Sequence, residues 1–160
     1  MAFERERARL SPVLGENARL IEHMGSTAVA GLPAKPVIDV IVLVADLEVA
    51  RSGVPALEVL GYSFWADNPD KSKLYLVKGL PPAPRRTHHL HIYADAGEVQ
   101  RHLVFRDHLR ANPAAAAAYL ALKEELAARY RNDREAYTLG KQAFIDAVVA
   151  AQGGAPRRSV

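Results

Sequence analysis

The run from Val37 to Val44, Val-Ile-Asp-Val-Ile-Val-Leu-Val, constrains the fold more than any other part of this chain. Its β-branched residues favour extended backbone, and apolar side chains at odd and even positions alike describe a buried strand. Such a strand belongs inside a sheet that helices cover. Asp39 interrupts it. A carboxylate there loses hydration, so it requires a cation, a hydrogen-bond donor or a metal beside it. Ser26 stands thirteen residues earlier, in a Gly25-Ser26 pair that reads as a turn opening a short helical segment over Thr27-Ala28-Val29, with Ser26 as its N-cap.

The rest of the chain supplies both kinds of element. Phe3, Arg7, Leu10 and Leu14 recur at helical spacing and predict a first helix ending near Gly15. Ala18 to His23 reads as a strand. Asp46 is placed to cap a helical segment whose second part opens at Pro55 and closes at Gly61. Tyr62 to Ala66 and Lys73 to Lys78 alternate as two strands around Asp67-Asn68-Pro69-Asp70, and Thr87 to Tyr93 is another. Asp95, Asn112 and Asp133 read as N-caps of three final helices, with Pro113 at the first position of the second. Strands first and helices last predict one α/β or α+β domain over residues 1–152, with a flexible tail over 153–160.

Composition excludes several classes. The chain has no Cys, hence no disulfide, no thiolate metal site and no cysteine nucleophile; a metal would have to use His and carboxylates. The formal charge is +3, from 21 Lys and Arg against 18 acids spread along the sequence. That balance favours an anionic ligand and speaks against a dedicated nucleic-acid interface. The charged N-terminus is unlike a signal peptide, and the apolar run Val40 to Ala45 is too short to span a bilayer, so a cytoplasmic protein is expected. There is no P-loop, no dinucleotide-binding glycine fingerprint and no nucleophile elbow around Ser26.

Two groups of residues carry candidate chemistry. On the strand from Thr87 to Tyr93, His89, His91 and Tyr93 share a face, opposite Leu90 and Ile92. Two imidazoles at alternate positions, with Asp39, form a two-His, one-carboxylate set suited to Zn2+, Mn2+ or Fe2+ more than to Mg2+. The same pattern is also the ordinary polar face of a sheet. His88, His102 and His108 read as surface residues. Among the helices, Lys123, Lys141 and Arg106 fall on or beside apolar stripes; they point toward the sheet as anion-binding groups, or snorkel outward from the stripe edges. Lys35, just before the central strand, is a further candidate for a phosphate or simply a loop charge.

The blocks IEHMGSTAVAGLPAKPVIDV, HHLHIY, LVFRDHLRANP and AYLALKEELA, in this order, resemble the GrpB family from about Phe3 to Ala150. The resemblance implies a nucleotidyltransferase-like fold related to the DNA polymerase β superfamily: a mixed sheet, a Gly-Ser turn and carboxylates on the next strand. It implies that Gly25 and Ser26 hold phosphate, that Asp39 binds a divalent metal (Mg2+ or Mn2+, or Zn2+ with His89 and His91), and that Arg106, Lys123, Lys141 and Tyr137 line the site. Lys123 or Lys141 would stabilise transition-state charge, and the ligand would be a nucleotide or a phosphorylated small molecule. Two departures stand out. Val37 occupies the position of the superfamily's first acid, and the aromatic, Pro-rich segment that usually precedes Phe3 is not in this sequence, so one edge of the domain is expected to be missing or built differently. A metal-dependent transferase and a binding module that kept the fold without the metal are both consistent with these residues.

Overall fold

Strand β2 (Ile38–Val44) lies second from the edge of a five-stranded mixed sheet ordered β1-β2-β5-β4-β3. A computed structural model describes residues 2–33 and 35–154. Antiparallel β1 (Ala18–Met24) flanks β2 on one side and parallel β5 (His88–Tyr93) on the other. β4 (Lys73–Lys78) and β3 (Tyr62–Phe64) complete the sheet, both pairs antiparallel. Among the described residues six α-helices pack around it: α1 (Ala2–Leu14), α2 (Leu47–Ser52), α3 (Val54–Val59), α4 (Ala96–Ala111), α5 (Pro113–Arg129) and α6 (Arg134–Ala151). The architecture is thus α+β, as the order of strands and helices predicts.

The apolar residues on both faces of β2 explain the layering. Val40, Val42 and Val44, with Leu90, Ile92, Leu74 and Leu76, pack under Phe3 and Leu10 of α1, Ala50 of α2 and Leu57 of α3. Each such fully buried aliphatic side chain contributes about 1.5–3 kcal/mol relative to exposure. On the other face Ile41, Met24 and Tyr93 meet Val99 of α4. A third cluster, Val29, Leu109, Ala116 and Tyr119, ties α4 and α5 to the segment after the Gly-Ser turn. Asp39 shares the face of Ile41 and Leu43, beneath α4 to α6.

Local signals mostly act as expected. Asp46, Asp95 and Asp133 accept backbone N–H groups at the starts of α2, α4 and α6. Asn112 does not: its side-chain amide donates to the His108 carbonyl, and no side chain caps α5. Gly25, not Ser26, is the N-cap of the 3-10 turn Ser26–Ala28. In α1 the buried set is Phe3, Glu6 and Leu10, so Glu6 takes the inward position expected for Arg7. Residues 155–160 of the expected tail lie outside the described residues; Gly153 and Gly154 bond back to Ala150 and Val149 at the end of α6.

Candidate functional site

The pairing of β1 with β2 sets Met24 opposite Asp39, so the residue that follows, Gly25, lies against the Asp39 carboxylate. Gly25 has φ +75°, and a Cβ there would stand 2.7 Å from Asp39 Oδ2. Only glycine admits both the left-handed backbone and this approach. The next residue then directs Ser26 Oγ toward the helical layer, where Lys123 Nζ of α5 donates to it at 2.7 Å.

Gly25, Ser26, Asp39, Arg106, Lys123, Tyr137 and Lys141 line one cavity of about 210 Å³. Five segments distant in sequence, the Gly-Ser turn, β2, α4, α5 and α6, therefore bring together most of the expected site residues. Tyr119 and Tyr137 lie under the two lysines, with Nζ 5.1 and 4.7 Å from the respective ring centroids. Burial lowers the pKa of both lysines; the Lys123 charge lowers that of Lys141 further, while Asp39 draws both up. Neither lysine is in an ion pair among the described residues. An anion between them would offset the lost hydration and the mutual repulsion together.

Arg106 reaches the cavity but is already engaged. Its Nη1 donates to Glu22 Oε2 and to the His23 carbonyl, both at 3.0 Å, and Nη2 lies 2.9 Å from Asp107. Its charge is largely matched there. Lys35 is exposed and takes no part in lining the cavity. Its side chain is not among the groups brought together.

Asp39 faces two imidazoles across the sheet. His89, its register partner on β5, places Nδ1 3.2 Å from Oδ1, and His91 places Nε2 3.5 Å from the same oxygen. The first distance is a hydrogen bond; the second is mainly an electrostatic contact. Burial pushes the Asp39 carboxyl up, but His89 and His91 outweigh it and hold the pKa at about 2. An ionised carboxylate only accepts, so His89 presents its Nδ1–H to it, and the buried Nε2 has no hydrogen-bond partner among the described residues. Lys73 Nζ lies 3.4 Å from His91 Nδ1; an ammonium only donates, so Nδ1 accepts and the single ring proton of neutral His91 sits on Nε2, toward Asp39. Burial lowers the His91 pKa, and the Asp39 contact only partly restores it.

This arrangement bears on a metal. Mg2+ calls for several oxygen ligands, and here the strand offers Asp39 alone, with an apolar Val37 two residues before it. The donor types of Asp39, His89 and His91 suit Zn2+ or Mn2+ better. A metal would have to displace the His89 Nδ1–H donated to Asp39. Among the described residues no three His or carboxylate side chains are grouped as ready metal ligands.

Two of the three histidines expected at the surface are drawn inward: His88 lies 3.6 Å from buried Glu6, and His102 packs beside the Tyr93 ring with burial lowering its pKa to about 4, while His108 stays partly exposed beside Asn112. The spacing of Glu6, three residues after Phe3 and four before Leu10, fits the buried face as well as that of Arg7, which was expected there. A second hollow near the site, around Trp65 and Tyr75, left no such trace, because it depends on the register between β4 and β5.

The fold and this cavity place the chain among α+β proteins with a Gly-Ser turn facing a strand carboxylate. It belongs to the GrpB family, whose model, described as GrpB protein, matches residues 1–151. The crystal structure of conserved protein GrpB from Enterococcus faecalis has a TM-score of 0.81 to this chain at 36% identity, covering 95% of this chain and 93% of that one. A UPF0157 protein of Pseudomonas aeruginosa is 48% identical over 126 residues, 78% of this chain and 52% of its own length, so the chain spans about half of that relative. A dephospho-CoA kinase of Mycolicibacterium paratuberculosis is 34% identical over 160 residues, covering 86% of this chain and 39% of that enzyme. Among the described residues, no helix is long and apolar enough to cross a membrane.

Proposed function

We propose that this protein binds a nucleotide or another phosphorylated small molecule, with phosphate oxygens held by Ser26, Lys123 and Lys141. The observation that carries the reading is the 2.7 Å contact between Lys123 Nζ and Ser26 Oγ, which closes a cavity containing two half-buried lysines over a Gly-Ser turn. Backbone and hydroxyl donors joined to converging ammonium groups are suited to phosphate. The similarity to a protein named for phosphorylating dephospho-CoA supports a nucleotide-type ligand. A cavity of about 210 Å³ takes phosphate groups and leaves the remainder of such a ligand outside it.

Thermal shift with ATP and with inorganic tripolyphosphate tests this. At a hundred times Kd, binding adds about 2.7 kcal/mol to stability, which a melting curve resolves. Lys123→Ala should weaken binding of both ligands and shrink the shift accordingly. If neither ligand stabilises the native protein, the reading falls.

A second reading, nucleotidyl or phosphoryl transfer, is favoured by the ionised Asp39 on the cavity wall. In it Asp39, with His89 and His91, would hold a divalent cation that supplies charge neutralisation at the phosphates. The chain's own groups would then orient the ligand: Ser26 and Lys123 at one phosphate, Lys141 at the charge developing on the transferred group. ATP stabilisation that requires Mn2+ or Zn2+ and disappears in Asp39→Asn, together with release of pyrophosphate or phosphate, supports transfer. Stabilisation that is indifferent to metal, without turnover, supports a binding module.

A further inference from the structure

Beside the phosphate cavity, across the Asp39–His91 contact, lies a larger hollow of about 800 Å³ that includes Trp65, Tyr75, Lys73, Arg86, Arg134 and Asp70 in its wall. Helix α6 joins the two: Tyr137 lines the small cavity, and Arg134, one helical turn earlier, lines the large one. The volume falls within the range that holds a small-molecule ligand. Its composition is that of a site for an aromatic anion, with the rings of Phe64, Trp65 and Tyr75 and three cations against one carboxylate.

Trp65 is the observation that points to a ring. It is 49% exposed at the wall of this hollow, held in place by its backbone N–H on the Tyr75 carbonyl at 3.0 Å and by an edge contact with the Tyr75 ring at 6.2 Å. A fixed, half-open indole offers a flat apolar surface at little entropic cost. Arg86 and Arg134 supply an independent argument, since neither is in an ion pair among the described residues. Asp70 does not neutralise them: its Oδ1 accepts from the Ser72 N–H and hydroxyl.

We propose that this hollow is the base subsite of the same ligand: a nucleobase stacks on Trp65 beside Tyr75, Arg86 and Arg134 contact the connecting phosphates or ribose, and the terminal phosphates reach Ser26 and Lys123. The proposal rests on the phosphate reading above and narrows it from phosphorylated small molecules to nucleotides.

Trp65 is the chain's single tryptophan, so its fluorescence reports on this subsite alone. The native protein is titrated with ATP, GTP, CTP and UTP, and separately with tripolyphosphate, while thermal shift is followed in parallel. At least one nucleotide should quench Trp65 saturably, as a base stacked on the indole does. Tripolyphosphate should shift the melting point without quenching. Trp65→Ala should weaken that nucleotide at least tenfold and leave tripolyphosphate unchanged; Arg134→Ala should do the same to a smaller degree, and Lys123→Ala should weaken both ligands. If nucleotides and tripolyphosphate stabilise equally and Trp65 does not respond, the base subsite is wrong while the phosphate cavity stands. If neither stabilises, both readings fall.

Discussion

Gly25 and Asp39 show how closely the site is fitted at the level of single residues. A methyl group at position 25 would meet Asp39 Oδ2 at 2.7 Å on a backbone with φ +75°. Gly25→Ala should therefore lower stability by about 1–3 kcal/mol, measured by urea denaturation, and weaken ligand binding with it. The Asp39 pKa of about 2 lies below its usual 3.8. A depressed carboxylate stabilises the fold fully above its usual value, and that contribution, roughly 2 kcal/mol, is lost as pH falls from about 4 through 2. Asp39→Asn should flatten the stability curve in this window. His102 acts through the opposite charge but with the same slope: with its pKa lowered from 6.5 to about 4, the unfolded chain binds its proton first. Stability should fall as pH drops from about 6.5 to 4, and His102→Phe, which keeps a ring beside Tyr93, should remove that part of the slope in denaturant titrations at pH 4.5 and 7.

Among the elements, the register of α5 on α6 decides where the two lysines stand. Gly140 of α6 lies against Leu126 of α5, and a Cβ at 140 would come within 2.7 Å of one Leu126 methyl and 2.8 Å of the other. Alanine gains about 1 kcal/mol of helix propensity over glycine, but overpacking a buried leucine costs about 1–3 kcal/mol. Gly140→Ala should be net destabilising in urea titrations and should loosen the grip of Lys123 and Lys141 on tripolyphosphate. The aspartate caps of α2, α4 and α6 and the apolar–polar alternation of the strands were legible in the sequence, because they depend on neighbours a few residues away. Lys123 and Lys141 were legible too, from their place beside Tyr119 and Tyr137. The engagement of Arg106 by Glu22 was not, since 84 residues separate the pair and only the packing of α4 on β1 joins them. Nor was the Trp65 hollow, whose walls come from the end of β3, from β4 and from the start of α6.

For the whole molecule, Glu6 fastens the first helix to the far side of the sheet. It is 2% exposed, accepts from Tyr62 Oη at 2.7 Å and Lys78 Nζ at 2.5 Å, and has His88 3.6 Å away. Burial pushes its pKa up, and these partners together bring it below the usual range. Lys78→Met removes the main counter-charge and should cost about 3–5 kcal/mol, whereas Glu6→Met combined with Lys78→Met should recover most of that loss. Equilibrium unfolding of the two single variants and the double variant measures the difference as a coupling energy.

The insertion of β5 between β2 and β4 has a kinetic consequence. β4 follows β3 closely in sequence, but β5 can join β2 only by closing a loop of 50 residues, the separation of Asp39 and His89. By chain statistics this closure costs about 1.4 kcal/mol more than closing a ten-residue hairpin. Refolding should accordingly be limited by the docking of β5 on β2. Substitutions such as Ile92→Val, at the contact made in that limiting step, should then slow folding more than they speed unfolding, and the Asp39–His89 contact should form in the same step.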